Sequence, residues 1–459
     1  MNIFKTLTLA TFFVFGLVST SHATIIAVVD SGTDLNHKDL VNKKWVNPID
    51  IDDAVDNDDN GYIDDINGWN FAENNNKLID MSFLGTFSAD VYKYFEVQTR
   101  ALRGEATAED LAWIKKMQAD AKFIGQLGTF GNFVHGTHVA GIVAKNADLA
   151  KVMVLKLMAT KAPGTSAGKF EDATDPVVQA SKKSLGKDDL IKFGLKLLAS
   201  QQGKALAPIG KYLKAEKARV ANCSFGTSTA AAKQLLAPIL KIVLKRDATP
   251  AELLDYSKFF VAEVVKSSVE LTKPAPTTLF VIAAGNDGSN NDELPTSPAN
   301  NKAQNTISVA ATFGYQKIAS FSNYGDKMVE VAAPGVGILS SIPGDQYLTV
   351  SGTSQASPFV ANIAGLILDA NPNLSNTDVK AILMGTVDKK EFLKGKVAAA
   401  GIVNVNRAVT AAKLALHMQL TQALESARAQ INDVDHGFMM GDVESMSEGF
   451  VMPLAPQFN

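Results

Sequence analysis

The chain is expected to fold as an α/β protein with a mostly parallel central sheet flanked by helices. Two observations carry this. Residues 24–29 (TIIAVV), 152–158 (VMVLKLM), 219–226 (RVANCSFG) and 278–284 (TLFVIAA) are short apolar runs with few polar breaks, as expected of strands buried on both faces. The stretches between them carry helix-start signals and apolar faces, and strands alternating with helices imply parallel pairing.

Length and composition narrow the function classes. The 459 residues are 46% hydrophobic and 20% charged, ordinary for a soluble globular protein with a large core. A net charge of -3 gives no reason to expect a nucleic-acid or anionic-membrane partner. The single cysteine, Cys223, excludes an intramolecular disulfide. The opening residues read as a secretory signal: Lys5, an apolar stretch over 7–18, then Ser21-His22-Ala23 as a small-x-small cleavage site. That stretch is too short to span a bilayer comfortably. A signal peptide over 1–23 and a secreted or periplasmic monomer without a transmembrane anchor are therefore expected. The first strand begins at the cleavage site, so no N-terminal pro-region is expected.

In chain order, the first apolar run ends at Asp30, on the rim where parallel sheets place their sites, or merely in a turn. Residues 50–65 form an acidic, turn-rich loop. Asp56, Asp58 and Asn60, then Gly61, match the opening of an EF-hand loop, with Tyr62 seventh and Asp64 ninth. The twelfth position is Asn67 rather than glutamate, so the match is incomplete. The crowded aspartates would repel one another unless neutralised, which favours bound calcium. Residues 76–132 read as a helical insertion. Ser88 caps a helix over 89–103 that Gly104 stops, and Thr107 opens another over 108–123 with Trp113 and Met117 on one face.

In GNFVHGTHVAGIV (131–143), His135 and His138 are three apart; they are a metal pair, or His135 faces a cleft at a helix entrance while His138 packs. Residues 188–200 read as a helix with a solvated lysine face. Thr249-Pro250 opens a long helix. Asn286 sits in a Gly-Asn-Asp-Gly turn after the fourth run, and 306–311 and 329–333 supply further strands. In SGTSQASP (351–358), Ser354 lies on a tight turn before the apolar run 359–368, with Pro358 suited to a helix's first turn. Such a serine is a cap or a nucleophile favoured by the helix dipole. Ser375 caps a short helix, residues 399–418 contain another, and 433–459 read as a mobile tail.

Serine hydrolysis of an amide needs a nucleophile, an imidazole base, a carboxylate to orient it and an oxyanion donor. Ser354, His135, Asp30 and Asn286 offer one of each at element ends. Here the sequence resembles the subtilisin-like serine peptidases. VVDSGTD (28–34), HGTHVAG (135–141) and GTSQASP (352–358) look like the family's aspartate, histidine and serine motifs. AAGN (283–286) looks like its oxyanion asparagine and NCSFG (222–226) its substrate strand, while FSNYG (321–325) and VAAPG (331–335) fit further blocks.

The resemblance implies a three-layer peptidase domain over 24–413, with the insertion before the catalytic histidine and a C-terminal helix and tail over 414–459. It implies Ser354 as nucleophile, His135 as base, Asp30 as its orienting acid and Asn286 as oxyanion donor. Ser224, Phe225 and Gly226 would bind extended protein or peptide substrates, with Phe225 and Asp287 beside the first side-chain pocket. Structural calcium would sit in the loop 56–71, on Asp56, Asp58, Asn60, Tyr62 and Asp64, and His138 would be structural. Two departures stand near the nucleophile: Gln355 replaces the usual methionine and Phe359 the usual histidine. The competing reading is a catalytically silent binding or adhesion protein on the same scaffold. An α/β-hydrolase esterase is excluded by the Asp, His, Ser order and the lack of GxSxG around Ser354.

Overall fold

The computed structural model describes residues 23–103, 105–161 and 186–434. Residues 1–22 of the expected signal segment 1–23 and residues 435–459 of the expected tail lie outside them. Strand β1 (Ile25–Asp30) leads through the acidic loop to β2 (Gly68–Asn70). Three helices follow, α1 (Ala89–Arg103), α2 (Ala108–Gln118) and α3 (Ala121–Ala144), and then β3 (Lys151–Lys156). A long helix α4 (Lys187–Ala215) precedes β4 (Val220–Cys223) and the short β5 (Thr227–Ser228). Helices α5 (Thr229–Leu244), α6 (Pro250–Ser267) and α7 (Val269–Thr272) lead to β6 (Leu279–Ala283). The strands β7 (Thr296–Ser297), β8 (Thr306–Phe313), β9 (Lys317–Ile318) and β10 (Val331–Pro334) come next, then the hairpin β11 (Ile338–Ile342) and β12 (Gln346–Val350). Helices α8 (Thr353–Ala370) and α9 (Asn376–Gly385), strands β13 (Asp388–Lys389) and β14 (Gly401–Ile402), and helices α10 (Val405–Leu414) and α11 (Leu420–Gln430) complete the fold.

The main sheet runs β13-β14-β10-β8-β6-β4-β1-β3-β2, with β9 paired to β8. Pairing is parallel from β10 through to β2 and antiparallel only at β13–β14 and β8–β9. Strand β1 lies between β3 and β4, where the order reverses. The reversal opens a crevice beyond the carboxyl end of β1, the usual place for a site in such sheets.

Successive residues of β1 face opposite layers. Ile26 and Val28 pack with α3 and α8, whereas Ala27 and Val29 pack with Leu206, Ile209 and Leu213 of α4. This makes the three expected layers, since a sheet covered on both faces has no solvated side. Outside them, α4, α5 and α6 share a satellite core around Leu195, Leu236 and Phe260. The helices of residues 89–144 pack around Phe95, Phe123 and Phe130 and reach Ile342 and Val350 of the hairpin. Among the described residues no helix is long and apolar enough to cross a membrane.

Four expectations change. The helix expected over 108–123 divides at Asp120, whose carboxylate accepts the Lys122 and Phe123 N–H groups and starts α3. Helix α3 then runs unbroken through residue 144, so His135 sits well inside it and not at its entrance. Helix α4 extends far beyond the expected 188–200. Its apparent breakers are contacts: a Cβ on Gly203 or Gly210 would collide with the backbone oxygens of Ser267 or Leu271. Finally, α8 begins at Thr353, which places Pro358 in its interior rather than its first turn.

His138 is buried among protein carbonyls, with Nε2 3.2 Å from Ile338 O and 3.0 Å from Leu348 O, so its ring ties α3 to the hairpin. Burial pushes this imidazole down to about 4, well below its ordinary value. Between pH 6.5 and 4 the unfolded chain therefore takes up a proton that the folded one refuses, and stability falls as pH drops. The loss expected by pH 4 is roughly 3 kcal/mol. Denaturant unfolding at pH 7 and pH 4 measures it, and His138→Gln, which keeps a donor, should remove this component.

Candidate active site

The carboxyl end of β1 delivers Asp30 to the crevice, almost fully buried. Its Oδ1 accepts the Ser31 N–H at 2.7 Å and lies 2.6 Å from His135 Nδ1. With its proton on Nδ1, His135 presents Nε2 as a base. Close packing sets this register. A Cβ on Gly136 would stand 2.1 Å from Gly32 O, so only glycine lets α3 approach the loop that carries Asp30. Two cross-bonds fix the contact: Gly136 N–H donates to Ser31 Oγ and Asp34 N–H donates to Thr137 Oγ1.

Ser354 is the second residue of α8 and is fully buried. Its N–H lies in the first turn, which has no intrahelical acceptors. Its carbonyl would ordinarily accept from the residue four positions on, but that residue is Pro358, which has no N–H. Ser224 Oγ fills the place, donating to Ser354 O at 3.0 Å. In return, Ser354 Oγ donates to Ser224 O at 3.4 Å. No hydrogen bond joins Ser354 to His135 among the described residues; the serine is held to the end of β4 instead.

Asn286 follows β6. Its Oδ1 accepts both the Thr353 N–H, at 2.9 Å, and Thr353 Oγ1, at 2.8 Å, and Thr353 Oγ1 accepts the Gly285 N–H. This orients the amide so that Nδ2 points toward Gly352, where a Cβ would stand 3.5 Å from it. Thr353 is thus a positioning residue that sequence reasoning missed. Asn323, within the FSNYG segment, is another. Fully buried, it accepts the Asp287 and Ser289 N–H groups and donates to Asn291 Oδ1 and Thr296 Oγ1, pinning the turn that carries Asn286.

The expected substrate strand is only partly as anticipated. The Ser224 hydroxyl is committed to α8, and the Phe225 ring is wholly buried in the core facing α4. Asp287 is exposed. The backbone groups of Phe225 and Gly226 form no hydrogen bond to another described residue. Cys223 is fully buried, and burial with the nearby Asp30 charge pushes its thiol far above the usual value, so it is a core residue and not a nucleophile.

The acidic loop converges differently from its sequence template. Asp50, Asp58 and Asp65 bring carboxylate oxygens within 4.8 Å of one another. Asn60 Nδ2 donates to Asp58, Asp65 and Glu216, the last from the end of α4. Of the five expected ligands only Asp58 offers a carboxylate to this group. Asp56 accepts the Asn60 and Gly61 N–H groups and Asp64 those of Asp53 and Ala54, while the Tyr62 ring packs on Trp69, Phe71 and Tyr212. Burial raises Asp65 to about 6 and Glu216 to about 7, as expected of carboxylates gathered without a countercharge.

The sequence profile of the subtilase family (peptidase S8) matches residues 21–403. The chain belongs to the subtilase family. Similar proteins include a thermophilic serine proteinase of a Bacillus species, 43% identical over 112 residues, 24% of this subtilase and 26% of that protein. An extracellular protease of Xanthomonas campestris is 40% identical over 144 residues, 29% of this chain and 24% of that one. Subtilisin-like protease 1 of Plasmodium falciparum is 25% identical over 393 residues, 85% of this chain and 44% of that one. The matched segments thus span less than half the length of these relatives.

Asn323→Ala would strand four hydrogen-bond partners around this subtilase's Asn286 turn, two of them buried. A loss of at least about 2 kcal/mol is expected. An unchanged denaturation midpoint would show that the turn is held by other means.

Proposed function

We propose that this subtilase is an exported serine endopeptidase that cleaves peptide bonds through Ser354, His135 and Asp30. The observation that carries the reading is the buried Asp30–His135 hydrogen bond at the point where the strand order reverses. The Ser354 helix, tied to the end of β4 and to the Asn286 turn, stands with it. An extended substrate adds to the unpaired backbone at Phe225 and Gly226. Its scissile carbonyl enters the space beside Gly352, and Ser354 Oγ leaves Ser224 O for His135 Nε2. His135 takes the hydroxyl proton as the Oγ–carbon bond forms, and Asp30 steadies the resulting imidazolium. Asn286 Nδ2 and the Ser354 N–H receive the charge on the carbonyl oxygen. The proton on His135 passes to the leaving amine, and water, activated by the same imidazole, hydrolyses the acyl-enzyme.

Export fits the signal-like opening and the similarity to the extracellular protease of Xanthomonas campestris. We assign the peptidase domain to residues 24–413. The all-oxygen, carboxylate-rich group of Asp50, Asp58 and Asp65 suits a hard cation, and calcium bound there would neutralise the repulsion among these acids.

Ser354→Ala is expected to lower casein hydrolysis at least about ten-thousand-fold without loss of fold. Equal rates would reduce the chain to a binding scaffold. Calcium at about a hundred times its dissociation constant is expected to add about 2.7 kcal/mol of stability. Melting curves in calcium and in chelator should differ for the wild type and coincide for Asp65→Asn.

A further inference from the structure

Gln355, the residue after the nucleophile, is fully buried, and neither Oε1 nor Nε2 of its side chain has a hydrogen-bond partner. Each buried polar atom left unmade costs about 1–3 kcal/mol. An apolar side chain of similar size would fill the same space without that cost.

The carboxamide is not lost in the core. A Cβ on Gly352 would stand 2.7 Å from Gln355 Oε1, 3.5 Å from Asn286 Nδ2 and 3.6 Å from Ser354 N. One small cradle, kept open by glycine, is therefore bordered by the two oxyanion donors of the proposed mechanism and by the Gln355 amide. Since neither amide atom is engaged, a half-turn of the carboxamide exchanges oxygen for nitrogen without breaking a hydrogen bond.

We propose that Gln355 is a substrate-contacting residue whose Nε2–H donates to the scissile carbonyl oxygen as it becomes negative. The inference rests on the peptidase reading above. As Ser354 Oγ bonds to the carbonyl carbon, the C=O π pair moves onto oxygen and the hydroxyl proton goes to His135. Gln355 transfers no proton; it supplies a third hydrogen bond beside Asn286 and the Ser354 N–H. The donor is unpaired in the free enzyme, and its bond strengthens as charge develops. It therefore acts on kcat and little on KM.

The test compares wild type with Gln355→Met and Gln355→Glu on a peptide amide substrate. Gln355→Met should keep or raise the melting temperature, leave KM within about twofold and lower kcat about tenfold or more. Its affinity for a peptidyl boronic acid, which forms a tetrahedral adduct, should weaken to a similar degree while its affinity for a cleaved product peptide holds. Gln355→Glu places a carboxylate against the oxyanion and should lose more, with partial recovery as pH falls and the carboxylate protonates. A Gln355→Met enzyme with kcat and boronate affinity within twofold of wild type would overturn the proposal. Failure of the peptidase reading is distinct: wild-type Ser354 would not then react with a fluorophosphonate, and both inferences would fall together.

Discussion

Strand β1 has neighbours that continue the chain in opposite directions, and the rest of the site follows from that. Asp30 ends this strand, so it lies where the crevice opens, with β3 on one side and β4 on the other. Parallel pairing aligns the carboxyl ends, which brings Ser224 after β4 and Asn286 after β6 to the same rim. Helices α3 and α8 then have to meet that rim at defined registers, and each does so through a missing atom. At Gly136 it is a Cβ, and at Pro358 it is an amide hydrogen.

Much of this was legible in the sequence because continuous apolar runs followed by small polar residues can only be buried strands ending at a rim. Asp30 and Asn286 follow such runs and Ser354 opens a helix, whereas His135 lies inside α3, and it is the short range of the motifs that made all four recognisable. What was not legible depends on contacts distant in sequence. Thr353 and Asn323 act only through residues tens of positions away. Only the resemblance marks Phe225 as a pocket residue, whereas its ring lies just past β4 in the core facing α4, with Ala221 and Cys223.

The acidic loop shows the limit of a spacing template. An alternating pattern assumes that ligands come from one turn of chain, whereas Asp50 and Asp65 are brought together across the loop and Glu216 arrives from a helix. The same is true of α4, which runs past residue 200 through Gly203 and Gly210. Their lack of a side chain lets helices approach closely.

The unbroken course of α3 through His135 also has a mechanical side. At 1.5 Å per residue, the base stands roughly 20 Å from the amino end of this rod, which is embedded in the aromatic cluster of residues 91–134. The position of the imidazole is thus tied, through one uninterrupted helix, to the packing of aromatic residues that lie far from the crevice.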